Sequence, residues 1–513
     1  MKNSISIIRF KKDLRIQDHR PLYEAIQSWV PCIAIFCFEP SIMKQWDFSW
    51  FHKQALQESL IELKTNLQSI WITLLVFREE IINILQLFNK YLTVKSICAH
   101  EETWNIATYK RDIHVLKRCK ENCIPIQEFP TNGIVRWLKN RDQRHWIWMY
   151  RMSKKLLHVE PWNHNPLDIV IPPEILKKTM TLSSHRIYPH IQPTWESRWH
   201  QLLTSFLDTR YNSYLYDIWK PYESMKSCSR LSVHLTYGNM SIRQVYHASQ
   251  EKKNELTRMK NEYQIWSPQY SALTSMLKHL NSFISRLHRH DHFIQKFESE
   301  VAYETRNIHP FYDRIRNTAN NERLERFKAW MTWFPLIDAA VRCMKVTGWI
   351  NFRLRATLVS FICNTCLQDR KEIVHFFSIY WTDYEPWIHY SQFQMQSWTT
   401  GINQYRIYNP TKQMIEKDSE WKFVDTWCPE LKNIPMPLKA EPWKLAQWLF
   451  QWWFWIQLWT DYPTPLFDLD EQNRIARKIL WDLKKEPWFR QIANQIYIKH
   501  GSRMRQNSRI QKK

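Results

Sequence analysis

The residues with the clearest chemical potential lie in one stretch, 347–410. Two arginines on one turn, Arg353 and Arg355, are followed about one long helix later by Asp383 and Glu385. Groups of opposite charge at that separation can form a buried ion pair beside a cofactor. An ordinary helix with solvated charges has the same pattern, and pattern alone favours that plainer reading. Three histidines at alternate positions, His288, His290 and His292, suggest a metal. On a helix, however, alternate positions point around the cylinder rather than to one side, so no metal is expected. Cys363-x-x-Cys366 has no second pair nearby and reads as buried helical cysteine. Ser229-Arg230-Leu231-Ser232 is by itself no more than a helix cap.

The elements that position these groups fall into two kinds. Residues 1–130 alternate short Ile- and Val-rich runs (SISIIRF, PCIAIFCF, ITLLVF, VKSICAH) with amphipathic segments (HRPLYEAIQS, FHKQALQESLIELKTNLQ). That alternation predicts an α/β domain with a doubly wound parallel sheet. It has no G-x-G-x-x-G fingerprint. Prolines gather over 131–195, which reads as an interdomain connector. An all-helical C-terminal domain is expected over 196–490, followed by a frayed basic tail, 491–513. Within 347–410, Leu354, Leu358, Phe361 and Ile362 recur at helical spacing. The part from Asp383 to Thr399, Thr400 and Gly401 reads as a polar, aromatic loop.

The 513 residues carry a net charge of +23, which favours a polyanionic partner, nucleic acid first; a basic surface without a partner is the alternative. Ten irregularly spaced cysteines point to a reducing, cytoplasmic setting. No signal peptide or spanning segment is evident, and the mean hydropathy of −0.53 suits a soluble protein.

The chain resembles the DNA photolyase/cryptochrome family over about residues 4–465. Lys12-Asp13-Leu14-Arg15 with Asp18 is similar to that family's opening signature, and His100-Glu101-Glu102-Thr103 to the start of its antenna-side loop. Cys228-Ser229-Arg230-Leu231-Ser232 followed by Gly238-Asn239-Met240-Ser241 resembles its phosphate-side motif. Small hydroxyls and backbone N–H groups near a helix start suit a dinucleotide's pyrophosphate. Thr347-Gly348-Trp349 with Arg353 and Arg355, Tyr405–Pro410, Trp427–Leu431 and Glu441–Lys444 match later motifs. The resemblance implies FAD as cofactor, held by Tyr214, Cys228, Ser229, Arg230, Leu231, Ser232, Phe283, Arg286, His290, Arg355, Asp383, Tyr384 and Glu385. Arg355 and Asp383 would pair at the flavin, and His389 would face its N5. The lesion side would be lined by Arg289, Phe352, Arg353 and Met395, with Arg289 where many photolyases carry a tryptophan. A second, antenna chromophore of folate or deazaflavin type is implied for the α/β domain. The implied activity is light-driven repair of cyclobutane pyrimidine dimers, with damaged DNA as partner, no membrane, and a monomeric enzyme. A cryptochrome-like light sensor is the rival, and a non-functional protein the third reading.

Two departures qualify the resemblance. Where many members carry a three-tryptophan electron relay, this chain has Phe393, Arg370 and Phe327. Glycine occurs 5 times and tryptophan 29 times, against roughly 36 glycines expected from average usage. Trp71, Trp104, Trp333, Trp387, Trp398 and Trp421 stand where the family pattern has glycine, whereas Trp148, Trp349, Trp427 and Trp443 match family tryptophans. A UGA codon that means glycine, translated as tryptophan, accounts for this; drift to a dead protein or a natural Trp-rich variant are the alternatives.

Overall fold

The computed structural model describes residues 4–138, 141–159, 170–316, 321–403, 406–435, 438–444 and 466–501. The chain divides into two compact units. One comprises Met1–Leu215, Ser227–Ser299 and Trp381–Trp387; the other comprises Tyr216–Lys226, Glu300–Tyr380 and Ile388–Lys513.

The first unit is built on five strands: β1 (Ser4–Arg9), β2 (Cys32–Cys37), β3 (Thr73–Phe77), β4 (Thr93–His100) and β5 (Ile126–Phe129). They pair in the order β3-β2-β1-β4-β5, all parallel, with Ile7 opposite Ile33 on one side and Ile97 on the other. Runs such as CIAIFC do not alternate with polar residues because both faces of the sheet are covered. Ile8, Ala34 and Leu74 share a core with Leu22 and Ala25 of α1 (Arg20–Gln27) and Leu60 and Leu63 of α2 (Trp50–Ser69). Ile7, Ile33 and Leu75 share the opposite core with Ile84 and Phe88 of α3 (Ile81–Tyr91) and Val115 of α4 (Ile106–Glu121). Side chains of neighbouring strand residues thus feed two separate cores, as the two-residue period requires. The same unit includes α5 (Ser232–Tyr237), α6 (Ile242–Asn261) and the 32-residue α7 (Pro268–Ser299).

The described residues of the second unit form helices joined by loops, with no strand among them. It includes α8 (Pro335–Thr347), α9 (Phe352–Ser360) and α10 (Arg370–Tyr380). Leu354, Leu358, Phe361 and Ile362 are all buried, as their spacing predicts. The expected loop after Glu385 is instead largely a helix, α11 (Pro386–Gln396). Proline suits its first turn. Trp387, His389, Tyr390, Ser391, Phe393 and Gln394 are all buried, so no polar stripe marks the helical period. No described helix is long and apolar enough to cross a membrane.

Candidate cofactor site

Two motifs far apart in sequence close on each other in the first unit. Arg15, buried after β1, donates from Nη1 to the Gly238 carbonyl at 3.1 Å and from Nη2 to the Asp18 carbonyl at 3.1 Å. The Leu14 N–H donates to the Tyr237 carbonyl, and Asp18 accepts from Ser241 Oγ at 2.5 Å and Arg243 Nε at 3.0 Å. Burial would raise the Asp18 carboxyl, but Arg243 and Arg15 hold it below its ordinary value. Gly238 ends α5 at φ 67°, and a Cβ there would stand 2.4 Å from the Lys12 carbonyl oxygen. Only glycine fits that approach.

The segment before α5 carries the candidate phosphate-side residues. Cys228 and Leu231 are buried, Ser229, Arg230 and Ser232 half-buried. Arg230 has a left-handed φ of 62°, and it exchanges hydrogen bonds with Gln192, Nε to Oε1 at 3.1 Å and carbonyl from Nε2 at 2.8 Å. The Cys228 carbonyl accepts from Arg210. Tyr214 is buried beside Phe283 and under Arg286, whose guanidinium lies 5.8 Å from the ring. Burial pushes the Tyr214 phenol up.

α7 joins this segment through charge. His290 is half-buried, with Nδ1 3.2 Å from Asp291 Oδ1 and Nε2 2.8 Å from Glu385 Oε2. Burial alone would lower the imidazole; Glu385 and Asp291 override it and carry it to about 10, so it is a cation. Glu385 also accepts from Thr236 Oγ1 of α5 and Trp387 Nε1, each at 3.1 Å. Asp291 accepts from Trp148 Nε1 at 2.7 Å and the Gly133 N–H at 2.9 Å. His288 instead meets Arg144 and Trp148, and His292 its neighbour Phe293. The three histidines do point apart.

Among the described residues one group has metal-ligand proximity: Asp13, His19 and His100. Asp13 Oδ2 stands 2.9 Å from His19 Nε2 and 2.7 Å from His100 Nδ1. His19 Nδ1 accepts the Leu22 N–H at 3.1 Å, so the ring proton sits on Nε2, facing Asp13. A ligating imidazole needs the reverse, a bare nitrogen on the metal and an N–H donated away. The trio is a hydrogen-bonded cap at the start of α1.

The remaining candidates lie in two places. Arg289, Asp383 and Tyr384 belong to the first unit; Phe352, Arg353, Arg355, His389 and Met395 belong to the second. Arg289 is exposed on α7 and Phe352 is 38% exposed at the start of α9. The Arg353 guanidinium lies between the Trp219 and Tyr408 rings, 4.6 and 5.3 Å away, and Arg355 Nε donates to the Ile350 carbonyl at 3.0 Å. His389 Nε2 is 2.9 Å from the Val374 carbonyl. A carbonyl only accepts, so Nε2 carries the proton. Burial lowers this histidine to about 3, which keeps it neutral. Phe393 lies 4.7 Å from His389 and 5.4 Å from Phe377, which is 5.9 Å from Phe327. Arg370, fully buried, donates from Nε to Asn307 at 2.6 Å.

A cavity of about 90 Å³ opens at the carboxyl ends of β1, β2 and β4, lined among others by Lys12, Phe38, Asp47, His52, Trp104 and Tyr384. Motif reading does not reach Lys12, Asp47 or His52 as a group. The available signal was topological: open parallel sheets bind ligands at the carboxyl ends of strands where the order reverses, here between β1 and β4. Lys12 Nζ stands 3.3 Å over the Trp104 ring, and burial lowers its pKa to about 7. Tyr384 donates to Asp47 at 3.0 Å and stacks on His52.

This sheet, this helical unit and these motifs define a flavoprotein class that comparison with known proteins identifies. Residues 6–148 match the family model described as DNA photolyase, and residues 283–482 match that of the FAD binding domain of DNA photolyase. A cryptochrome DASH of Synechocystis is 23% identical, covering 92% of this chain and 97% of its own. The deoxyribodipyrimidine photo-lyase of Escherichia coli is 27% identical over 50% of each chain. The structure of an archaeal photolyase from Sulfolobus tokodaii with two FAD molecules superposes with TM-score 0.70 at 21% identity, over 93% of this chain and all of that one. The chain belongs to the DNA photolyase/cryptochrome family.

Proposed function

We propose that the chain is a deoxyribodipyrimidine photolyase that binds FAD and repairs cyclobutane pyrimidine dimers in DNA. The observation that carries this reading is the link from α7 through Glu385 to Thr236 of α5. It joins Arg286 and His290 to the Cys228–Ser232 segment in one unit. The donor set fits a dinucleotide: hydroxyls of Tyr214, Ser229 and Ser232, with Arg286 to meet a diphosphate, while the His290 cation, held by Asp291 and Glu385, fixes α7 beside them. When bound, reduced FAD supplies the electron that opens the dimer under blue light. The residues of this chain bind and orient. Neutral His389 donates its Nε2–H to the Val374 carbonyl and keeps charge away from a flavin ring. Asp383 contributes a fixed charge in the first unit, and in the second Arg355 contributes another, with Phe352, Arg353 and Met395 an apolar and cationic wall for a flipped base. Arg289 and the net charge of +23 attract the phosphate backbone. The α/β unit carries the second, light-harvesting chromophore.

A cryptochrome-like sensor is the second reading, favoured by Arg289 in the stacking position and by Phe393, Arg370 and Phe327 on the relay path. Flavin released on denaturation tests both readings, and two measurements separate them: loss of dimers from an illuminated duplex, and relative affinity for dimer-containing and intact duplex. We expect flavin, dimer loss, and tighter, salt-sensitive binding of damaged DNA. No flavin rejects both readings; flavin without dimer loss, and equal affinity at moderate salt, selects the sensor.

A further inference from the structure

Among the described residues thirteen other than glycine have a left-handed φ, and eight of them are tryptophan: Trp29, Trp71, Trp137, Trp330, Trp333, Trp398, Trp421 and Trp488, with φ from 54° to 70°. Left-handed backbone brings Cβ against the following carbonyl, so it is the province of glycine, with asparagine and aspartate next. A bulky aromatic there is an outlier, and eight in one chain need a common cause.

The hydrogen bonds at these sites show which residue the backbone is built for. After α2, the Trp71 N–H donates to the Gln68 carbonyl and the Ile72 N–H to the Leu67 carbonyl. Trp330 and Met331 repeat this on Phe327 and Arg326, and Thr399 reaches back to Gln394 across Trp398. That pairing closes a helix on a left-handed residue, ordinarily glycine. Gly238 does so in this chain with the same two bonds, its own N–H to Leu235 and that of Asn239 to His234. Glycine and tryptophan thus occupy one structural role. Trp148, Trp349 and Trp427 are absent from the left-handed set.

We infer that the protein as its source makes it carries glycine at positions 29, 71, 137, 330, 333, 398, 421 and 488, encoded by a UGA codon read there as glycine. This assignment rests on backbone geometry, independently of the activity proposed above. It retains Trp71, Trp333, Trp398 and Trp421 from the sequence-based set and adds four positions. Trp104 and Trp387 lie outside it: neither has a left-handed φ, and their rings pack edge to face at 5.2 Å.

The first test is the gene itself. UGA at the eight positions with UGG at 148, 349 and 427 is expected; UGG at the eight overturns the inference. The second is a pair of full-length proteins, the chain as written and one with glycine at all eight positions. A third carries glycine only at the buried sites 333, 398 and 421, which are 1%, 3% and 5% exposed. If those three indoles are native packing, their removal leaves cavities and lowers the melting midpoint. The assignment predicts the opposite sign, with the eightfold variant melting on the order of 10 °C or more higher. A lower midpoint in both variants overturns it, as does tryptophan at any of the eight in peptides sequenced from the native protein.

Discussion

Two half-buried bases in the first unit, Lys12 and His290, have opposite fates. Lys12 stands over an aromatic ring at the end of the sheet, with its carboxylates Asp47, Glu102 and Glu385 acting only at a distance, and burial takes it down to about 7. His290 is equally enclosed, but carboxylates touch both ring nitrogens and it goes up to about 10. The difference is contact. A buried cation survives where carboxylates replace its water shell and loses its proton readily where an aromatic face and apolar walls do.

The largest expected break in this comparison is His290→Leu. It strands Asp291 and Glu385 in the interior, and loss of one partner of a buried ion cluster costs about 3–5 kcal/mol. A urea titration would read this as an earlier midpoint at unchanged slope; a loss under 1 kcal/mol would show that Thr236, Trp387 and Trp148 suffice for the two acids.

Next is a pH crossing. The folded His290 pKa, about 10, exceeds the ordinary 6.5, so its contribution is complete below 6.5 and is lost as pH rises through about 10. The folded Lys12 pKa, about 7, lies below the ordinary 10.5, so the unfolded chain holds the extra proton and stability rises with pH between those values. Each slope is about 1.4 kcal/mol per pH unit, and the two oppose each other from pH 7 to 10. Lys12→Met should therefore leave a stability that falls across this window relative to the unmodified chain, and His290→Gln one that rises. Parallel profiles for the two variants would contradict the assignment.

Trp104→Gly should have a smaller effect. It removes the ring under Lys12, worth about 0.5–2 kcal/mol for a desolvated cation, and enlarges the cavity, so the Lys12 titration should shift. The smallest is Thr236→Val, which takes one donor from Glu385 at about 1 kcal/mol and, by leaving that carboxylate less shared, should raise the His290 pKa only slightly, as its NMR titration would record.

His290 stands out in the sequence among three alternating histidines and Lys12 in the opening signature, but their opposite charge states do not, and the reason is physical. The four strands β1 to β4 were legible because runs like CIAIFC are buried on both faces. β5, Ile-Gln-Glu-Phe, is a short edge strand with too few apolar residues to stand out. IINILQLF in α3 is so uniformly apolar that periodicity cannot separate helix from strand. α11 was hidden by burial on nearly all sides. In the candidate site, Cys228–Ser232 and Gly238–Ser241 were readable as local motifs. That Glu385 would sit on His290, and that Arg15 and Asp18 would tie β1 to α5 and α6, were not, since such partners are linked by topology and not by spacing. The depressed Lys12 follows from a cavity, and a cavity exists only after the chain has closed around it.

The seven residues Trp381–Trp387 belong to the first unit although the chain on either side belongs to the second. During synthesis, everything else in the first unit has been made by Ser299, yet Tyr384 and Glu385 are still to come. At 5–20 residues per second, the interval between Ser299 and Trp387 lasts on the order of 4–18 s. Throughout it, Asp47 lacks its tyrosine and His290 one of its two carboxylates. The nascent α/β unit therefore waits, incompletely neutralised, for a short peptide delivered from the middle of the helical half. Protease resistance of ribosome-bound chains should rise when the stalled length passes residue 387, well after the last strand has formed.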